Sequence, residues 1–508
     1  MKKSTVLRRF FALALSMAML FTASVSCGKQ PDPVDTTVAT ESTTLAPASV
    51  TETEAVTETQ DPATADVLPE KNYENAPFTI LLRTEWDYEF VVDTMTGDLI
   101  SDAIYQRNTV VEERFGVDFQ YVDVKGAWND RTGFLTTVSN AVSAGDGSYD
   151  MIAGYQAYMI TAAMAGNLYN INDMPHIDPS KAWWSEQCND SLTVGDCLYL
   201  TTGDIALTMW ENIYVYYFSK TLAAQNNLPD LYALVKQGEW TLDKVNELTA
   251  DISQDVDGNG VMDESDLYGF VTTTNNHMRA YIVSGQTPIA KKDAEGYLEL
   301  CYESERTQVL LDKLLALHHR PASYINYDVI SGTAFSKTPT MFTENRALLM
   351  SGYLGTASTL RDMDTDFGIL PYPKLDSDQE NYYTSSHNSV SMICFLTTVR
   401  DPEMSGLIAE ALGMESHKLV IPQYYELALK SKNVRDEQSA EMIDLIHSSL
   451  TFDFGWVHSV PLGEIGTLME KLVKNNTPSF SSSYKSQKKA LENFLKKVND
   501  SYRKANAD

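Results

Sequence analysis

Six oxygen-bearing positions at fixed spacing stand out in this chain. They are Asp255, Asp257, Asn259, Val261, Asp263 and Asp266, with Gly260 at the sixth place of the loop. Side-chain oxygens fall at loop positions 1, 3, 5, 9 and 12, and Val261 at position 7 offers its backbone carbonyl. A hard cation that takes six to eight oxygens on a tight turn needs this pattern, and the glycine permits the sharp bend. The loop 255–266 therefore reads as a structural calcium site. Position 12 is Asp where Glu is usual, so the last ligand reaches less far.

Catalytic signatures are missing. GxSxG, HExxH, GxxxxGK[ST] and GxGxxG do not occur. Ser482 and Lys485 match SxxK, but they lie in a serine run ahead of a helix and lack the companion motifs. His318-His319 follows a helical stretch and reads as a helix end. The chain reads as non-enzymatic.

Aromatic residues offer a different chemistry. There are 27 Tyr and 7 Trp. Flat rings with a few amides and carboxylates beside them form the apolar-walled, sparsely polar pocket that suits small ligands, sugars among them. Trp86 with Asp87, Trp210 with Glu211 and Asn212, and Trp456 near Asp453 fit that description. Trp183-Trp184 and Trp240 read as packing.

Alternating strands and helices must position these residues. Phe78–Leu82 is a short buried-strand run. A helix from about Asp102 stops before Gly116, Val117, Phe119 and Tyr121 alternate as a strand, and a second helix covers about 132–143. Tyr149–Gly154 reads as a strand ending in a glycine turn. This order argues for parallel α/β layers with ligands beyond the carboxyl ends of the strands. The Trp86 loop and the Tyr155-Gln156 turn then share one rim. Asp401-Pro402-Glu403 is a helix start. Residues 485–504 form an amphipathic helix with Leu491, Phe494, Leu495, Val498 and Tyr502 inward.

The beginning of the chain is an address. Lys2, Lys3, Arg8 and Arg9 precede an apolar stretch, Phe10–Phe21, and small residues lead to Cys27. This resembles a lipobox. It implies a signal peptide over 1–26, a lipid on Cys27 and a place on the outer face of a bacterial cell membrane. Residues 27–73 then read as a disordered tether rich in Thr, Pro and Glu, too polar to offset its ordering entropy.

The formal net charge is −30. Without the four basic residues of the address it becomes −34. Two lysines against nine acids give the tether −7 and leave −27 for the body. Such a balance excludes a nucleic-acid partner, which needs cations to displace counterions. Four further cysteines, Cys188, Cys197, Cys301 and Cys394, show no CxxC spacing. Cys188 and Cys197 either bridge or stay thiols.

The body resembles the extracellular solute-binding proteins of ABC importers, in the maltose-binding-protein-like group. Tyr149-Asp150 to Tyr155, Leu168–Ile171, Trp210–Lys220, Trp240-Thr241, Phe342–Tyr353 and Phe367–Pro373 match that group's segments in order. Individually these are weak. The resemblance implies a two-lobed periplasmic-binding-protein-like fold of the α/β class, each lobe an α/β sandwich, joined by crossing hinge strands. Lobe 1 would be 76–205 plus 374–450, and lobe 2 would be 206–373 plus 451–508. It also implies a monomer that delivers a carbohydrate, an oligosaccharide, to a membrane permease. The cleft would hold Trp86, Asp87, Tyr155, Gln156, Trp210, Asn212, Asn275, Tyr353 and Trp456. A surface-anchored glycoside hydrolase and a glycan-adhesion lipoprotein are the alternatives.

Overall fold

The computed structural model describes residues 61–273, 276–326, 334–360, 363–425 and 436–506. The expected signal peptide, Cys27 and Asn275 lie outside them. No described helix is long and apolar enough to cross a membrane.

Two open sheets organise the body. The first has the order β12-β3-β1-β2, from β1 (Ala76–Arg83), β2 (Val117–Val124), β3 (Met151–Tyr155) and, far along the chain, β12 (Ser391–Cys394). β1 pairs parallel with β2 and β3, while β12 is antiparallel to β3. Phe78, Ile80, Leu81 and Leu82 are buried on both faces, as a central parallel strand requires. β2 is an edge strand, and it alternates buried and exposed at its start.

Helix α1 (Leu99–Phe115) begins where Asp98 accepts from Ser101 N at 2.9 Å. It stops at Gly116, whose φ of 60° is a left-handed cap. Helix α2 spans Arg131–Ala144. Helix α3 (Gln156–Met164) follows β3 with no intervening turn. The glycine turn expected at Gly154 is thus absent. Gly154 lies inside β3, and its missing Cβ leaves room for Met159, whose Cγ would lie 2.5 Å away.

The second sheet has the order β11-β4-β10-β6-β5. It comprises β4 (Tyr214–Ser219), β5 (Ser253–Gln254), β6 (Leu267–Thr273), β10 (Ala347–Tyr353) and β11 (Phe367–Leu370), with β9 (Ser323–Asn326) beside β6. β6, β9 and β10 are mutually parallel, and β4 runs against β10 and β11. A hairpin, β7 (Ala290–Lys292) with β8 (Leu298–Leu300), stands apart.

Three stretches run side by side where the sheets meet. Tyr214 N donates to Ser385 O at 3.0 Å and His387 N to Asn212 O at 2.9 Å. Thr384 N donates to Ser449 O at 2.9 Å, and Thr451 N returns to Thr384 O at 2.7 Å. These are the crossing segments of a hinge.

Three expectations need correction. Residues 61–73 are not free tether. Ala182 N donates to Ala63 O at 3.0 Å, Arg114 pairs with Asp66 at 2.8 Å, and Tyr73 N donates to Phe115 O at 2.7 Å. Leu68 packs on the core, so this stretch buries apolar surface that composition alone underrates. The helix Glu437–Ser448, expected with the first lobe, instead packs along β11. Ile369 N donates to Ser439 Oγ at 3.3 Å, and Asp436 pairs with Lys220 at 2.5 Å. Its stripe of Met442, Ile443 and Ile446 needs an apolar wall, and the β11 edge supplies one. Finally, Phe494 of the helix Phe480–Ala505 is exposed, while Leu491, Val498 and Tyr502 are buried. The last helix turns a narrower face inward than its sequence implies.

Candidate solute cleft

Arg83 is the last residue of β1 and is 1% exposed. Its guanidinium lies 4.2 Å from the Trp86 ring centre and 5.1 Å from that of Tyr155. The two rings meet edge to face at 6.0 Å. β1 and β3 are parallel neighbours, so their carboxyl ends deliver both residues to one rim, as the alternation of strands implies. Arg83 Nη2 donates to Ser389 O at 2.9 Å and to Ser391 Oγ at 2.6 Å. The strap leading into β12 is thereby fastened over this cluster.

Beneath it lies Glu89, a fully enclosed carboxyl. Thr208 donates to it from N and Oγ1, both at 2.7 Å, and Ser391 Oγ also bonds to it. Burial raises its pKa, and the Arg83 charge opposes that rise. Three donors on one buried carboxyl fix the short helix Leu207–Glu211 to the strap.

The second sheet contributes the opposite wall. Tyr353 ends β10 and Tyr214 begins β4, and their rings are 5.2 Å apart. His277, on the helix Asn276–Ser284, lies 4.9 Å from Tyr353. His387, on the strap, is 5.7 Å from it. Burial holds both imidazoles neutral, with pKa values lowered to about 3. The Arg279 guanidinium lies 4.8 Å from the Trp456 ring centre and 3.5 Å from Glu470. Burial dominates the shifts of Tyr155, Tyr214 and His387, and the Arg279 charge acts on all three.

A cavity of about 330 Å³ opens beside Tyr353 and His277, between the ends of β6 and β10. Thr273, Thr338, Thr340, Thr343, Ser351 and Thr356 line it, and among the described residues no lining side chain is charged.

Of the sequence-derived residues, Trp86 and Tyr155 meet at the end of the first sheet, Tyr353 packs with Tyr214, His277 and His387 at the end of the second, and Trp456 lies against Arg279. Gln156 adjoins Tyr155, 2% exposed, with its backbone N donating to Val390 O at 3.2 Å. Asn212 holds the strap instead of facing a ligand, donating to Ser389 Oγ at 3.1 Å. The charge of Asp87 acts, after burial, to raise the pKa of Asp123. Trp210 turns away into packing. It stacks on His447 at 4.3 Å and donates to Asp204 at 3.2 Å. A ring whose N–H is met by a buried carboxyl and whose face is stacked on a neighbour is engaged in packing. Asp453 is likewise a helix cap, accepting from Trp456 N at 2.6 Å, and burial pushes its pKa up to about 7.

Sequence reasoning missed Arg83, His277, Arg279 and His387. An arginine ending a buried parallel strand was a legible signal. The two histidines carried none.

The calcium-like loop has a donor set that suits a hard cation. Carboxylate oxygens of Asp255, Asp257 and Asp266 lie within 4.8 Å of one another. Asp255 accepts from Gly258 N at 2.7 Å and Gly260 N at 2.8 Å, which folds the loop around that centre. Asp266 is turned inward and accepts from Val256 N and Asp263 N, both at 2.8 Å. Those backbone donors hold its pKa low.

No family model and no curated protein matches the sequence. Solved structures do match. An ABC substrate-binding protein of Listeria monocytogenes in complex with cycloalternan aligns at TM-score 0.51 and 12% identity, covering 84% of this chain and 99% of that one. The GacH receptor of Streptomyces glaucescens, described with acarbose, aligns at 0.52 and 12%, covering 85% and 99%. Maltose-bound MalE3 of T. maritima aligns at 0.51 and 10%, covering 84% and 98%. With two open α/β sheets, three crossing stretches and an aromatic space between the strand ends, the chain has the fold of the two-lobed, maltose-binding-type ABC substrate-binding proteins.

Proposed function

We propose that this chain is the non-catalytic solute-binding subunit of an ABC importer. It captures a carbohydrate in the space between the two sheets and delivers it to a membrane permease. The observation that supports this most is the pair of aromatic clusters at the strand ends, Trp86 with Tyr155 on the first sheet and Tyr353 with Tyr214 on the second, with the His387 strap packed against the latter and fastened to the former by Arg83. Aromatic faces stack on the apolar face of a sugar ring, and the amide and hydroxyl groups between them bond its hydroxyls.

A cavity of about 330 Å³ lies at the lower end of ligand-pocket sizes and favours a short oligosaccharide over a long one. The ligand favours the closed state, and the permease reads that state. The chain works as a monomer on the outer face of the cell membrane, held by a lipid on Cys27. The loop 255–266 binds calcium through Asp255, Asp257, Asn259, Asp263, Asp266 and the Val261 carbonyl, in a structural role.

The test is a thermal-shift screen of glycans followed by incubation of each hit. A rise in melting temperature with no product supports a binder. Cleavage of the hit makes the chain a glycoside hydrolase and sinks the reading.

A further inference from the structure

Resting on that reading, the kind of sugar is itself legible. Around the strap, three side chains end in N–H groups with no partner: Arg83 at Nε and Nη1, Gln156 at Nε2 and His387 at Nε2. The histidine group is a donor by elimination. Ser389 N donates to its Nδ1 at 3.1 Å, so the neutral ring carries its proton on Nε2. Arg83 Nη2 is already engaged with Ser389 and Ser391, and the rest of that guanidinium is buried beneath two rings. Arg279 adds a second guanidinium from the other wall.

A neutral sugar fits such a set poorly. Each hydroxyl brings a hydrogen as well as lone pairs, and that hydrogen meets more N–H groups. A carboxylate brings acceptors alone. The surroundings of His387 agree: burial keeps it neutral, and the cations acting on it are Arg279 and Arg83. Nearby carboxylates are already engaged. Glu89 takes its bonds from Thr208 and Ser391, and Glu470 pairs with Arg279. Glu85, whose charge also acts on Arg83, accepts from Gly126 N at 3.0 Å. With these acids engaged, what the site offers is its set of unmet N–H donors, and the two coplanar oxygens of a carboxylate meet more of them at once than one hydroxyl does. The adjoining cavity, whose described lining is rich in hydroxyls, suits the hydroxyl-bearing part of the same molecule, and Tyr353 and His277 line it.

We propose that the solute is a small acidic saccharide, one or two sugar rings bearing one carboxylate. The carboxylate lies against Arg83, Gln156, His387 and Arg279, and the ring hydroxyls enter the threonine-lined cavity.

Calorimetry and thermal shift on the full chain test this with matched probes. Galacturonate, glucuronate and digalacturonate are set against galactose, glucose, galactobiose and galactose 6-phosphate. The expected result is binding of an acid at least tenfold tighter than its neutral counterpart. Arg279→Gln narrows that ratio about tenfold while the unliganded protein still melts cooperatively. Arg83→Gln does the same if it folds, and Arg279→Gln carries the test if it does not. Neutral sugars binding as well as acids overturn the proposal and leave sugar capture standing. So does a preference for the phosphate. A panel in which no acid binds overturns it as well. Binding of amino acids or peptides alone overturns both this proposal and the sugar-binding reading.

Discussion

Glu410 offers a test of the fold in which sign and size both follow from geometry. It lies on the helix Pro402–Glu415 and is 1% exposed. Trp183 Nε1 donates to one carboxyl oxygen at 3.0 Å, and Trp184 Nε1 donates to the other at 2.7 Å. Asp178 N adds a third bond at 3.3 Å. Burial outweighs these donors and pushes the pKa from 4.5 up to about 7. Between those values the unfolded chain has lost the proton and the folded chain keeps it. Stability therefore falls as pH rises through this window, by about 1.4 kcal/mol per unit where the difference is one proton. Integrated from pH 5 to pH 7.5, the loss is about 2.4 kcal/mol.

Glu410→Gln removes the titration. It also turns an NH2 group against one indole N–H, at a cost of about 1–3 kcal/mol at every pH. The variant is thus less stable than the parent at pH 5, and the gap shrinks by about 2.4 kcal/mol at pH 7.5. Urea unfolding followed by tryptophan fluorescence at both pH values, with equal m-values, measures it. A gap that stays constant between the two pH values would falsify the assignment of a buried, protonated Glu410.

Three further outcomes are expected. At calcium about a hundredfold above Kd, the loop 255–266 contributes about 2.7 kcal/mol. Spread over a body of about 450 residues, that is a chelator-induced fall in melting temperature of about 3 °C. Melting unchanged by chelation removes the site. Trp86→Ala weakens solute binding at least tenfold with a small change in stability, because that ring is only partly buried at the rim. Trp210→Ala does the reverse and costs about 3–5 kcal/mol of stability, since its ring is buried against His447 and Tyr425. Calorimetry beside urea melts separates the two, and equal effects on binding would refute the division. Deleting residues 61–73 costs about 1–3 kcal/mol, through the lost Asp66–Arg114 pair and Leu68 packing. A urea midpoint that does not move would return that stretch to the tether.

How far sequence reached depended on whether the signal was local. β1 was legible because Phe78, Ile80, Leu81 and Leu82 put apolar residues on both faces of a strand within five positions. Asp401-Pro402 was legible because cap and first-turn preferences act within three residues, and Asp401 indeed accepts from Met404 N at 3.0 Å. The rim shared by Trp86 and Tyr155 followed from strand order. Trp210 was not legible. Its neighbours Glu211 and Asn212 made it look like a rim residue, and only the distant His447 and Asp204 decide that it packs. His387 sits in the run Ser385-Ser386-His387-Asn388-Ser389, which has no period and no charge. Its place follows from the hinge register of Thr384 with Leu450 and Ile213 with Ser386. The helix 437–448 was misplaced for the same reason, since its apolar stripe names a need for a wall and not which wall.

Under the proposed function, the strap Thr384–Ser391 would couple capture to closure. Its first residues pair with the other crossing stretches through the backbone of Ser385 and His387. Its later residues are gripped by the first sheet, with Ser389 O accepting from Arg83, Asn388 O from Ala157 N and Val390 O from Gln156 N. The cleft histidine is therefore part of the hinge. A ligand acceptor that satisfies His387 Nε2, Gln156 Nε2 and Arg83 at once needs the strap and the first sheet in this arrangement, and it needs Tyr353 and the cavity of the second sheet for its remaining groups. Taking an open-favouring equilibrium from 1:99 to 99:1 requires about 5.5 kcal/mol of differential affinity. Hydrogen bonds to a charged group contribute about 1.5–3 kcal/mol each, so the three orphaned donors supply that amount if they are met only when closed. The unsatisfied groups that would be a liability in a rigid core are what makes the ligand and the closed state depend on each other.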